Sequence, residues 1–145
     1  MKNKAFEFDK RNKSRTYLIV DDEFISDDEL IIYAYFTITL KTIEFGETLS
    51  KSIIKRIDGF SKDIKSAEAV LIGQLGKNQN YQNDINGQTI LNNAFRIVYC
   101  IHNLAGGRIM FLECNEHPKL IDFYNRNGFE ALQKSGNYLQ MIKYL

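Results

Sequence analysis

Residues 108–129, RIMFLECNEHPKLIDFYNRNGF, decide the fold class of this chain. Arg108 to Cys114 is an apolar run of strand length, suited to a strand covered on both faces. Pro118 then stands at a helix's first-turn position, where its missing N–H is no loss. Leu120, Ile121 and Tyr124 give that short helix its inner face, and Gly128 ends it. Upstream, Ile90, Leu91, Ala94, Val98, Ile101 and Leu104 form one stripe of a long helix beginning near Gly87. Gly106 and Gly107 stop it. Before that helix, Ala67 to Leu75 is a second continuous apolar run, centred on Val70-Leu71-Ile72. Strand, long helix and strand in this order predict a crossover helix within a mixed sheet.

The flanks add antiparallel elements. Ile32, Ala34, Phe36, Ile38 and Leu40 alternate with Tyr33, Tyr35, Thr37, Thr39 and Lys41, the period-2 signature of a strand. Thr16 to Val20 reads as a shorter strand before it. Between them, Asp21 to Glu29 carries six acids in nine residues and reads as a turn. Leu49, Ile53, Ile54 and Ile57 follow helical spacing, with Gly59 where a C-terminal cap belongs. Phe129–Leu132 and Tyr138–Leu145 read as closing strands, and Asn3 to Lys13 as the end of a helix. The expected fold is α/β (α+β), one domain over residues 1–145, with a mixed, mostly antiparallel sheet flanked by helices.

Composition narrows the function. With 44% hydrophobic and 26% charged residues the chain of 145 is globular rather than disordered. Nineteen basic against 18 acidic residues leave a net charge of +1, which argues against a general nucleic-acid coat or a polybasic membrane tether. Cys100 and Cys114 lack CxxC spacing and, inside apolar runs, are expected to be buried and inert. His102 and His117 are the only histidines, so no metal cluster is expected. A polar N-terminus and the lack of any run near 20 apolar residues give a cytoplasmic expectation, with no membrane.

Two segments carry chemistry. After the strand ending Ile72-Gly73-Gln74-Leu75-Gly76, a polar loop leads into the long helix, whose first amides and dipole suit a phosphate. Most such corners bind nothing. The second segment is residues 113–129. Its ending, Phe123-Tyr124-Asn125-Arg126-Asn127-Gly128-Phe129, resembles the late strand–helix signature of the GNAT superfamily of N-acetyltransferases. The order and spacing of strand, loop, long helix, strand and short helix are similar to that family over Thr16–Leu145.

The resemblance implies acetyl-CoA as cosubstrate, no metal, and a sheet splayed between its two central strands. It places the coenzyme's diphosphate over Gln82, Asn83, Asp84, Ile85, Asn86, Gly87 and Gln88. Main-chain groups of Leu75, Gly76 and Lys77 would meet the pantetheine. Gln82 and Gly87 match the family's loop pattern, but Ile85 stands where it has a glycine, and Asp84 brings negative charge. Asn83 and Asn86 would soften the departure if they adopt left-handed backbone. If Ile85 is a steric handicap, Ile85→Gly should tighten coenzyme binding. His117 falls where relatives often have a cofactor-touching asparagine, or is merely a helix-start residue.

Tyr124 is the implied acid for the departing thiolate; on pattern alone it is a core tyrosine beside Leu120. No carboxylate sits mid-strand at Val70-Leu71-Ile72, which leaves Glu68 and Glu113 as strand-end candidates for accepting a proton. The acceptor amine stays open among small molecule, peptide and charged tRNA. Relatives usually have more structure before Thr16, so a homodimer or partner chain is expected over the face with Tyr33 and Tyr35. The alternative function is a non-catalytic binding or assembly module with weakened coenzyme A binding.

Overall fold

The computed structural model describes residues 2–21 and 30–145; most of the acidic turn expected at Asp21–Glu29 lies outside them. In chain order the elements are α1 (Lys2–Lys10), β1 (Arg15–Val20), β2 (Ile32–Glu44), α2 (Lys51–Asp58) and β3 (Ser66–Lys77). A 3-10 turn (Gln79–Tyr81) precedes α3 (Gly87–Ala105), β4 (Ile109–Asn115), α4 (Pro118–Arg126), β5 (Glu130–Ser135) and β6 (Tyr138–Tyr144). The strands form one six-stranded sheet in the order β1-β2-β3-β4-β6-β5. The β3–β4 pair is parallel, joining Val70 to Met110 and Leu71 to Phe111. It brackets α3, as a crossover requires. The β1–β2, β4–β6 and β5–β6 pairs are antiparallel. The mixed, mostly antiparallel sheet expected from the sequence is present.

Residue contacts divide the chain into two compact units, Met1–Thr39 with Ile72–Cys100, and Leu40–Leu71 with Ile101–Leu145. In the first, the α1–β1 corner turns at Asn12, which has φ 56°. The Asp9 carboxylate accepts from the Thr16 amide at 2.9 Å and pairs with Arg15 at 3.0 Å. These bonds hold its pKa below the ordinary value, the backbone bond most of all. Ala34, Phe36 and Ile38 of β2 are buried, as are Ile90, Leu91, Ala94 and Val98 of α3. These are the residues that the two periodicities select.

The second unit closes over Ile43, Ile57, Ala69, Ile109, Phe111 and Ile142. Helix α2 is set by its ends. Ser50 Oγ accepts from the Ile53 amide, and Gly59, at φ 93°, returns its N–H to Lys55 O at 2.8 Å. Arg108 Nε donates to Ile57 O at 2.9 Å, so a cation meets the helix's negative end. Strand β4 buries both faces from Ile109 to Leu112, then exposes Glu113.

Three sequence expectations need correction. Leu40 does not continue the buried face of β2: it is exposed, and burial resumes at Ile43, so the inward set shifts from even to odd positions. Leu104 is 83% exposed because the buried stripe of α3 ends at Val98. Cys100, two residues past that end, is exposed, whereas Cys114 is buried.

Candidate functional site

In the first unit, the end of β3 is shaped by glycines. A Cβ on Gly73 would overlap Thr37 Oγ1, the atom that accepts from the Gln74 amide at 3.0 Å. A Cβ on Gly76 would enter the Tyr35 ring, which lies against that bare stretch of backbone. Leu75 and Gly76 are half-buried and Lys77 is exposed, its Nζ donating to Gln82 O at 3.3 Å. Asn78 then locks the chain, donating from its amide to Tyr33 O and from its side chain to Ile32 O, both at 2.8 Å.

Gln82, Asn83 and Asp84 are exposed, and the Asp84 amide donates to Tyr81 O at 3.1 Å. Ile85 is buried, 7% exposed. Its bulk is therefore removed from the solvent-facing side of the loop, where a diphosphate would lie. Asn12 is the non-glycine residue with positive φ among the described residues, so neither Asn83 nor Asn86 is left-handed. Asn86 instead caps α3, its Oδ1 accepting from the Thr89 amide at 2.8 Å and from Thr89 Oγ1 at 3.1 Å. Gly87 opens the helix, and the exposed Gln88 donates to Asn92 Oδ1 at 2.9 Å. This loop needs no left-handed residue. At the start of α3 the Thr89 amide is already taken by Asn86, so what favours a diphosphate here is the Lys77 ammonium, with Asp84 opposing.

Tyr33 and Tyr35, expected as an uncovered face, are half-buried. Tyr33 donates a short hydrogen bond to Asp21 Oδ2 and meets the Tyr81 ring edge-on at 5.5 Å. The bond to that carboxylate is the main reason its pKa rises to about 12. The large apolar groups left exposed in this unit include Phe6 and Phe8 of α1 and Leu18 of β1.

In the second unit, Tyr124 is 7% exposed on α4 and its ring meets Phe123 at 5.2 Å and Phe129 at 5.7 Å. Gly128, at φ 84°, makes the turn that leads into Phe129. Burial first, then the nearby Cys114 thiol, pushes the Tyr124 pKa up to about 12. Its phenol is thus held protonated at neutral pH. No hydrogen bond formed among the described residues uses its hydroxyl. Cys114 is buried, with Sγ 3.8 Å from Met141 Sδ, and burial raises its own pKa, so it is no thiolate nucleophile. His117 is the exposed N-cap residue of α4, and its side chain makes no capping bond.

Sequence reasoning missed a polar network in this unit. Gln133 Nε2 donates to Glu44 O at 2.7 Å and to Gln140 Oε1 at 2.8 Å, and Gln133 Oε1 accepts from the Gly46 amide at 2.8 Å. Gln140, 6% exposed, donates to Glu113 Oε1 at 2.9 Å, and Lys41 Nζ meets Glu113 Oε2 at 3.3 Å. All six residues line a cleft of about 650 Å³. The available signal was a glutamine inside the buried run Leu139–Ile142. The other strand-end acid, Glu68, accepts from Thr42 Oγ1 at 2.6 Å and is exposed. Among the described residues no group of three or more His, Cys, Asp and Glu could hold a metal. No described helix is long and apolar enough to cross a membrane.

The six-stranded mixed sheet and its crossover match a GNAT-like fold. Solved structures of toxins with this fold are similar to the chain. AtaT complexed with acetyl-methionyl-tRNAfMet matches with a TM-score of 0.71 at 20% identity, covering 99% of this chain and 77% of that one. AtaTR bound with AcCoA gives 0.70 at 20%, covering 97% and 77%. A Tyr-to-Phe mutant of KacT gives 0.69 at 23%, covering 94% and 75%. No protein-family model matches the chain, and no curated protein does.

Proposed function

We propose that this chain is an acetyl-CoA-dependent N-acetyltransferase, moving an acetyl group directly to an amine. The observation that carries the reading is Tyr124 on a GNAT fold: buried, protonated at neutral pH, its hydroxyl outside the hydrogen bonds described. Acetyl-CoA would supply the thioester whose carbonyl carbon the amine attacks as the C–S bond breaks. The amine's proton passes to water as the C–N bond forms, and the departing thiolate accepts a hydrogen bond from the Tyr124 hydroxyl. With a pKa near 12, the phenol serves better as a hydrogen-bond donor to that sulfur than as a fully ionising acid. The amides and Lys77 along Leu75–Lys77 and Gln82–Gln88 hold the pantetheine and diphosphate, with His117 as a further contact.

Acceptors consistent with the reading are a small amine, a peptide or a charged tRNA. The last has support from the tRNA complex of AtaT, and the net charge of +1 gives it little more. A homodimer or partner chain belongs to the same proposal, as solved neighbours include a KacTA–DNA complex and AtaT bound to the C-terminus of AtaR. Cytoplasmic residence goes with this reading. The second reading, a non-catalytic module, is favoured by the exposed Asp84, whose negative charge opposes a diphosphate. Calorimetry with acetyl-CoA tests both, followed by acetylation of pooled amines, peptides and charged tRNA. Binding with turnover is expected; weak or absent binding without turnover defeats the acetyltransferase reading and selects the module.

A further inference from the structure

Asn-Gly occurs twice in the sequence, at Asn86-Gly87 and Asn127-Gly128. In this dipeptide the glycine amide can attack the preceding side chain, because no Cβ stands in its way. The structure separates the two sites. Gly128 N donates to Asn125 O at 3.0 Å and Asn127 Nδ2 donates to Phe123 O at 2.8 Å, so attacking and leaving nitrogens are both engaged. Gly87 is the first residue of α3, where an amide has no partner within the helix. No hydrogen bond among the described residues uses its N–H. Asn86 is exposed, and its Nδ2 likewise lies outside those bonds. Its Oδ1 accepts from the Thr89 amide at 2.8 Å and from Thr89 Oγ1 at 3.1 Å. Two donors on that oxygen stabilise the negative charge it gains when its carbon is attacked.

We propose that Asn86 deamidates in the folded protein and that the product weakens coenzyme binding at this loop. The Gly87 nitrogen, once deprotonated by hydroxide, bonds to Asn86 Cγ; the Cγ–Nδ2 bond breaks and ammonia leaves. Water then opens the cyclic imide. Cleavage of its bond to Cγ gives aspartate, and cleavage at the main-chain carbonyl gives isoaspartate. An amide and water become a carboxylate and ammonium, with nothing oxidised or reduced. Aspartate caps a helix as well as asparagine does, so the fold tolerates it. What changes is charge: a second carboxylate joins Asp84 on a loop where the Lys77 ammonium favours a diphosphate. The modification stands on local geometry; only its effect on acetyl-CoA rests on the acetyltransferase reading.

The test incubates the full chain in mildly alkaline buffer and follows both sites by peptide mass spectrometry, with enzymatic methyl labelling of isoaspartate for the rearranged product. Asn86 is expected to convert, faster as pH rises, while Asn127 keeps its amide. In urea, which releases both glycine amides, the two should convert alike, and this assigns the native difference to structure. Gly87→Ala, tolerated at a helical position without positive φ, should abolish detectable conversion at Asn86 over the same period. No conversion at Asn86, an equal rate at Asn127 in the native protein, or conversion that survives Gly87→Ala overturns the site. By calorimetry, Asn86→Asp should bind acetyl-CoA about tenfold more weakly than the wild type, and equal affinity overturns the effect on the coenzyme. A wild type that ignores acetyl-CoA sinks the acetyltransferase reading, while the peptide map still decides the modification.

Discussion

At Tyr124 a single hydroxyl separates two roles. Tyr124→Phe keeps the ring against Phe123 and Phe129 and removes only the donor. Turnover should fall about 10²–10⁴-fold with acetyl-CoA affinity unchanged, as measured by steady-state kinetics beside calorimetry. Full activity in the variant would end the assignment. The same residue has a pH signature. Its folded pKa of about 12 lies above the ordinary 10.0, so between these values the folded state binds more protons than the unfolded one. Stability is therefore complete below about pH 10 and declines as pH rises toward about 12. Tyr33 titrates in the same window, so the comparison is of slopes. Urea midpoints should fall less steeply with pH in Tyr124→Phe than in the wild type. Ile85 reverses an expectation from the sequence. Its side chain is buried, so Ile85→Gly removes core volume and loosens the backbone, costing about 3 kcal/mol. Weaker acetyl-CoA binding, not tighter, should follow because the loop loses its anchor. Tightening would restore the steric-handicap argument.

Among the elements, Gly73 and Thr37 make a coupled pair between neighbouring strands. Gly73→Ala drives a Cβ into Thr37 Oγ1, and Thr37→Ala leaves the Gln74 amide without its acceptor. Each should destabilise by about 1–3 kcal/mol in denaturant melts. In the double variant the clash is gone, so its loss should be clearly smaller than the sum; simple additivity would mean that the two do not interact. The elements were largely legible from periodicity. Alternation gave β2, helical spacing gave α2 and α3, and Pro118 with Gly128 bracketed α4, because each pattern reports one buried face. Legibility stopped where burial changes phase. Nothing in Leu40 or Leu104 announces that its side chain falls outside the buried set, since that depends on what lies opposite. The polar cleft was illegible for a related reason. Glu113, Gln133 and Gln140 lie on three strands, and only the β4–β6 and β5–β6 registers bring them together. The corner after β3 was read in place, but its asparagines serve as a cap rather than as left-handed hinges.

For the whole molecule, association follows from where apolar surface is left over. The face around Tyr33 and Tyr35 is half-buried and partly engaged within the chain, and more exposed apolar surface lies elsewhere. In the first unit Phe6 is 67% exposed on α1, with Phe8 on the same helix and Leu18 on the adjoining β1. Single exposed apolar residues need no explanation, but two phenylalanines on one short helix do. An isolated helix of nine residues is marginal in water, so α1 gains most from being covered. With a net charge of +1, repulsion between copies is weak. A homodimer through α1 is the expected outcome, visible as a doubled mass by light scattering near 100 μM. Its apolar character should make it persist at 0.5 M salt, where ion-paired contacts would be screened. Phe6→Ser with Phe8→Ser should return the monomer mass while leaving the thermal midpoint of the sheet nearly unchanged, because neither ring is buried in the single chain. If the wild type stays strictly monomeric at that concentration without aggregating, α1 is a surface for a different chain and self-association is wrong.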